Sequence, residues 1–133
     1  VIGTGRAQVR MIAILLFAGH GGTETANFED AFGGGTSSAD DHGIIPLGMR
    51  CTTIYAAVDT APGAGNSWSI TVENDNAATL MSTSIADTAT ENSSTANAIN
   101  VVAGERLTCD WNETGTAVGT SGSTCALLCY PDA

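Results

Sequence analysis

Residues 66–74, read as NSWSITVEN, alternate without a break. Trp68, Ile70 and Val72 fall on one side of an extended chain, and Ser67, Ser69, Thr71 and Glu73 on the other. A period of two describes a half-buried β-strand. Ahead of it, "APGAG" offers a proline-glycine turn. Behind it, Asn74, Asp75 and Asn76 tolerate left-handed backbone and bond their own main chain, so the chain can reverse before the apolar-spaced run from Thr79 to Ile85. Residues 61–86 therefore predict a hairpin, and a hairpin alone is unstable, so a larger sheet is implied.

The rest of the chain agrees with this period. No segment of ten or more residues carries a clean apolar stripe at helical spacing, and glycine or a Ser/Thr/Asn cluster interrupts every run. Strands are expected over residues 8–18, 26–32, 43–59, 66–74, 79–86, 96–103, 105–112 and 123–130. This count and spacing fit an all-β, single-domain antiparallel β-sandwich of jelly-roll type. Its core is expected to hold Ile54, Val58, Trp68, Ile70, Val72, Ile85, Leu107, Trp111 and Leu128. Gly104 and Glu105 predict a tight turn, after which Leu107, Cys109 and Trp111 alternate inward. Residues 19–41 and 86–95 are polar or glycine-rich and read as loops. At 133 residues the chain has room for one domain, divided here into an arm at 1–10 and a jelly roll at 11–133.

Charge excludes some partners. There is no lysine, and four arginines face fourteen carboxylates, for a formal net charge of -10. Nucleic acid and anionic membrane surfaces need clustered cations, so neither is an expected partner. The apolar run in residues 11–18 is too short to cross a bilayer as a helix, which takes about twenty residues. It reads instead as a strand buried on both faces of its sheet. Two of the arginines, Arg6 and Arg10, lie before the first carboxylate, Glu24. That asymmetry marks a small positive arm. With Met11, Ile12, Ile14 and Leu16 of the adjoining strand, the arm is the expected partner-binding segment, acting by charge complementarity and strand addition.

Catalytic and metal-binding chemistry is sparse. His20 lies in a glycine-rich loop, and His42 follows Asp40 and Asp41 in a stretch that reads as solvated turn residues, so no enzyme activity is expected. "ENDN" at 73–76 offers oxygen ligands that calcium would accept, but it lacks the spacing of a calcium loop. It is explained as a turn, leaving calcium as the minor reading and no cofactor. Cys51, Cys109, Cys125 and Cys129 contain no CxxC pair, which argues against zinc. On a strand, Cys125 and Cys129 would share a face about 13 Å apart, too far to bridge each other. Pairing with Cys51 or Cys109 stays open, and buried free thiols are the preferred reading.

From Pro46 to Trp111 the chain also carries a recognisable order: a hydrophobic strand, "APGAGNSWSITVENDN", "TLMSTSIADTAT", then a polar loop running into "ANAINVVAGERL". This order resembles the small jelly-roll domains of tailed-phage virion proteins, similar in build to C1q and tumour necrosis factor heads. Pro62, Gly63, Gly65, Ser67 and Trp68 match the turn-then-strand pattern. "ENDNAAT" stands where an Asn-Gly hairpin is usual, and "VVAGERL" where Gly-Asp is commoner. The resemblance covers about half of the chain and consists of turn and strand punctuation, so it speaks to architecture more than role. It implies a homotrimer that decorates and stabilises a phage capsid, bound to the major capsid protein on the outer capsid surface. Two other roles remain open. One is a receptor- or carbohydrate-binding fibre head using Tyr55, Trp111 or Tyr130. The other is a pilin-like filament subunit that donates its 11–18 strand.

Overall fold

The computed structural model describes residues 11–18, 28–31, 43–74, 76, 79–117 and 122–132. These form ten strands and, among the described residues, no helix: β1 (Ala13–Ala18), β2 (Phe28–Ala31), β3 (Gly43–Ile44), β4 (Met49–Val58), β5 (Gly63–Asn74), β6 (Thr79–Asp87), β7 (Glu91–Ser94), β8 (Ile99–Val101), β9 (Arg106–Thr114) and β10 (Ser123–Pro131). One sheet runs β1-β10-β4-β7, with β8 also on β4. The other runs β2-β9-β5-β6, with β3 also on β9. If β2/β3 and β7/β8 are each taken as one interrupted strand, the pairings nest: β1 with β10, β2/β3 with β9, β4 with β7/β8, and β5 with β6. All are antiparallel. Nested pairing of eight strands across two sheets is the jelly-roll arrangement.

The hairpin expected over 61–86 is β5 and β6, in register from Trp68↔Ile85 to Val72↔Met81. At its bend the Asn76 N–H donates to Asn74 Oδ1 at 3.0 Å, the local bond that makes Asn a turn residue. Trp68, Ile70 and Val72 are fully buried, as are Ile85, Leu107, Trp111 and Ile54, and Val58 is nearly so. The two tryptophans meet edge to face across β5 and β9, with centroids 6.3 Å apart and planes at 75°.

Four expectations need correction. Residues 43–59 do not make one strand. Gly43–Ile44 pairs with β9 in one sheet and Met49–Val58 with β10 in the other. The chain changes sheets between them at Pro46, which has no N–H to give a ladder, and buried Ile45 is held by backbone bonds to Glu105 O and from Gly104 N, both 2.8 Å. Residues 91–94, expected as loop, form β7 against Ile54–Ala57 of β4. An edge strand needs only backbone pairing, so "ENSS" gives no apolar signal. The strand expected over 96–103 shrinks accordingly to Ile99–Val101.

The third correction concerns β1. Among the described residues it is an edge strand, and Leu15 and Phe17 are buried while Ile14 is 68% exposed, so it is not covered on both faces. The fourth concerns β10, where Cys125, Leu127 and Cys129 take the inward positions and Leu128 faces out, half-buried. Adjacent leucines must point opposite ways, and the core takes the first.

Gly104 closes the turn from β8 to β9 at φ 88°, with the Glu105 N–H donating to Val102 O at 3.1 Å. Glu105 Oε2 in turn accepts the Val102 N–H at 3.0 Å. A third turn residue with positive φ favours glycine, so Gly104→Ala is expected to cost about 1 kcal/mol, read as a lower urea midpoint with an unchanged slope.

Candidate assembly face

The outer face of the β1-β10-β4-β7 sheet carries exposed apolar side chains around a shallow depression. Register sets its rows. Ile14 stands opposite Leu128, which stands opposite Thr53. Ala126 stands opposite Tyr55, and Tyr55 opposite Ser93. Thr124 stands opposite Ala57, and Ala57 opposite Glu91. In strands alternate residues share a face, so Tyr55 and Ala57 emerge because Ile54, Ala56 and Val58 point into the core. Ile14, Tyr55, Ala126 and Leu128 line an apolar depression of about 270 Å³. An open trough of about 530 Å³ adjoins it over Ala57, Thr124, Ser93 and Glu91. Ile12 and Met11, at the approach to β1, are 59% and 69% exposed.

Among the described residues, charge is confined to the ends of this face. Arg50, which donates from Nη1 to Asn100 Oδ1 at 3.1 Å, lies at one end of β4, and Glu91 pairs beside Ala57 at the other. Between them the rows named above are apolar or hydroxyl-bearing. A smaller group of exposed apolar side chains, Ile44, Leu47 and Val102, lies where the chain changes sheets.

Of the residues expected to bind a partner, Met11, Ile12 and Ile14 are on the surface, and Ile14 is on this face. Leu16 pairs through its backbone with Ala126, and its side chain is outside the described residues, as are Arg6 and Arg10. Tyr55, Ala126 and Leu128 were not anticipated as surface partners of Ile14. The available signal was the register of β4 on β10, which no local pattern supplies. Trp111 is fully buried and offers no platform to a sugar ring, which removes it from the carbohydrate reading; Tyr55 is 47% exposed. His20, His42, Asp40, Asp41 and Asp75 lie outside the described residues, among which no group of three or more metal-ligating side chains occurs.

The free-thiol reading is corrected for two of the four cysteines. Cys51 and Cys129 form a disulfide across β4 and β10, linking positions 78 residues apart in the chain, whereas Cys109 and Cys125 are buried thiols. Cys51 faces Cys129 because β4 carries a bulge. The register passes from Leu128↔Thr53 to Cys129↔Cys51, leaving Thr52 as the extra residue.

No protein-family model matches the chain, and no curated protein matches it. Solved structures do. A chain of the cyanophage Pam1 capsid asymmetric unit superposes with a TM-score of 0.52 at 14% identity, over 99% of this chain and 93% of that one. The crystal structure of FlhE superposes with a TM-score of 0.50 at 12% identity, over 91% and 98%. A more distant match is a chain of the acid-stable capsid of Helicobacter pylori bacteriophage KHP30, with a TM-score of 0.44 at 12% identity, over 90% and 93%. At such identities the likeness is one of fold, and the first two matches span nearly the whole of both chains. The likeness is therefore one of architecture, and any role for this chain rests on its own surface.

Proposed function

We propose that this chain is a non-catalytic structural subunit of a phage particle: a capsid decoration protein. It joins as a homotrimer through the outer face of the β1-β10-β4-β7 sheet and binds the major capsid protein on the outer capsid surface. The observation that carries this reading is the apolar centre of that face, Ile14, Leu128, Ala126 and Tyr55, on a chain of net charge -10. Copies so acidic repel one another except through a surface free of carboxylates, and this centre is such a surface. Contiguous exposed apolar area of this kind marks an interaction site. The Pam1 capsid chain supports the reading only as an example of the same fold in a particle shell.

Capsid attachment is assigned to the arm, where Arg6 and Arg10 bring positive charge to an otherwise acidic chain. Three arms engaging together raise avidity well beyond that of one. Removing residues 1–10 is expected to leave the protein a trimer by light scattering and to reduce co-sedimentation with capsids by at least about a hundredfold in apparent affinity. Undiminished capsid binding by the truncated trimer would remove the arm from the mechanism.

One observation favours a second reading, a filament subunit. β1 is an apolar edge strand, AILLFA, with no proline or charged residue along it, and among the described residues it pairs only with β10. Unprotected edges are templates for strand addition. Open-ended polymers in the light-scattering experiment, in place of a closed trimer, would select that reading.

A further inference from the structure

At their centre, the strands that build the assembly face carry apolar residues on both sides. Facing the core are Ile54, Ala56 and Val58 on β4 and Cys125 and Leu127 on β10; facing out are Tyr55 and Ala57, with Ala126 and Leu128. A slip of one residue exchanges the buried and outer faces of a strand, so register is specified by the contrast between the residues on those two faces. Here the pattern distinguishes the two faces weakly. The bulge at Thr52 adds a place where the ladder between β4 and β10 already changes phase. The disulfide sits there, between Cys51 and Cys129, both fully buried.

We propose that the Cys51–Cys129 disulfide is a redox staple: it pins the register of β4 on β10 and so fixes which side chains the sheet presents on its outer face. In the dithiol form the same sandwich is looser along these two strands and presents that face poorly. Oxidation accompanies the pairing of β4 and β10, which brings together two residues 78 apart, and precedes closure of the core over their sulfurs. The oxidant is a low-molecular-weight disulfide. A thiolate of one cysteine attacks it and releases one small thiol. The thiolate of the other then attacks the mixed disulfide and releases the second, so the protein loses two electrons and two protons and the small disulfide gains them. This step belongs to surroundings outside the reducing cytosol. Cys109 and Cys125 remain thiols, Cys109 lying on β9 of the opposite sheet.

The consequence for assembly rests on the function proposed above, whereas the effect on register does not, and the test separates them. Hydrogen exchange is measured on the oxidised protein, on Cys51→Ala/Cys129→Ala, and on Cys109→Ala, on the opposite sheet, as a control, alongside native mass against concentration. The first double variant is expected to keep a cooperative unfolding transition but to lose about tenfold or more in amide protection along Met49–Val58 and Ser123–Pro131. Its midpoint for association is expected to rise by a similar factor, while the control stays like wild type. Equal protection in oxidised and Cys51→Ala/Cys129→Ala protein overturns the staple. If that variant does not fold, reduction of the folded wild type by a small phosphine replaces it. Protection falling in step with loss of the disulfide supports the proposal, and protection outlasting it overturns the proposal. A wild type that stays monomeric at every concentration sinks the assembly reading alone, because exchange still decides the staple.

Discussion

Under the proposed trimeric assembly, Ile14→Asp is expected to yield a folded monomer in place of the trimer. Ile14 is 68% exposed on an edge strand, so the substitution removes little buried area from the subunit, and surface changes of this kind usually stay within about 0.5 kcal/mol. In the proposed assembly the same position is covered by another copy. An aspartate there is buried without a partner or held at the seam of subunits that are already strongly acidic, a cost of several kcal/mol per contact. Association is therefore expected to weaken by at least about a hundredfold. Light scattering should show the mass of one chain, with a thermal transition close to that of the isolated subunit. Ser69→Asp, on the outer face of the opposite sheet, is the control and should leave the trimer intact. A trimeric Ile14→Asp protein would move the interface elsewhere.

Trp68→Ala is expected to bring the domain close to unfolding. Trp68 is fully buried and packs edge to face on Trp111 between β5 and β9. Truncating a buried tryptophan costs about 3–5 kcal/mol through lost transfer energy and the cavity left behind, and the aromatic pair accounts for about 0.5–1.5 kcal/mol beyond area alone. Domains of this size are stable by only about 5–15 kcal/mol. The variant should unfold at much lower urea than wild type, or be molten in buffer, whereas Trp68→Phe should retain a cooperative transition. Equal urea midpoints for Trp68→Ala and wild type would show that this pair does not anchor the core.

The hairpin over residues 61–86 was legible because three local signals coincide there: a proline-glycine turn, strict alternation, and an Asn/Asp bend whose Asn74–Asn76 bond is internal to the turn. The buried set of Trp68, Ile70, Val72, Leu107 and Trp111 follows from the same alternation, since each apolar residue there is flanked by polar ones. Legibility fails where both neighbours are alike. Leu127 and Leu128 are equally apolar, so the choice of the inward one waits on the parity of β10 against β4. β7 fails for the opposite reason: Glu91–Ser94 contains no apolar residue, and its strand character exists only in backbone bonds to β4.

The candidate assembly face was partly visible, through Met11, Ile12 and Ile14, as an apolar run beside two arginines. Its other half was not, because Tyr55, Ala126 and Leu128 belong to strands far apart in the chain and meet Ile14 only through the register of three strands. The disulfide has the same origin. Four cysteines admit several pairings, and Cys51 opposes Cys129 solely because a bulge at Thr52 shifts β4 by one residue.

What the sequence by itself determined is the all-β class, the hairpin, most of the core and the acidic field. These depend on period, turn chemistry and net charge, all of which act over a few residues or over the whole composition. What only the tertiary structure decided is the point where the chain changes sheets, the edge position of β1, the pairing of Cys51 with Cys129 and the side chains that share the outer face. These depend on register between strands distant in the chain, which is fixed by the best joint packing of two sheets rather than by any local pattern.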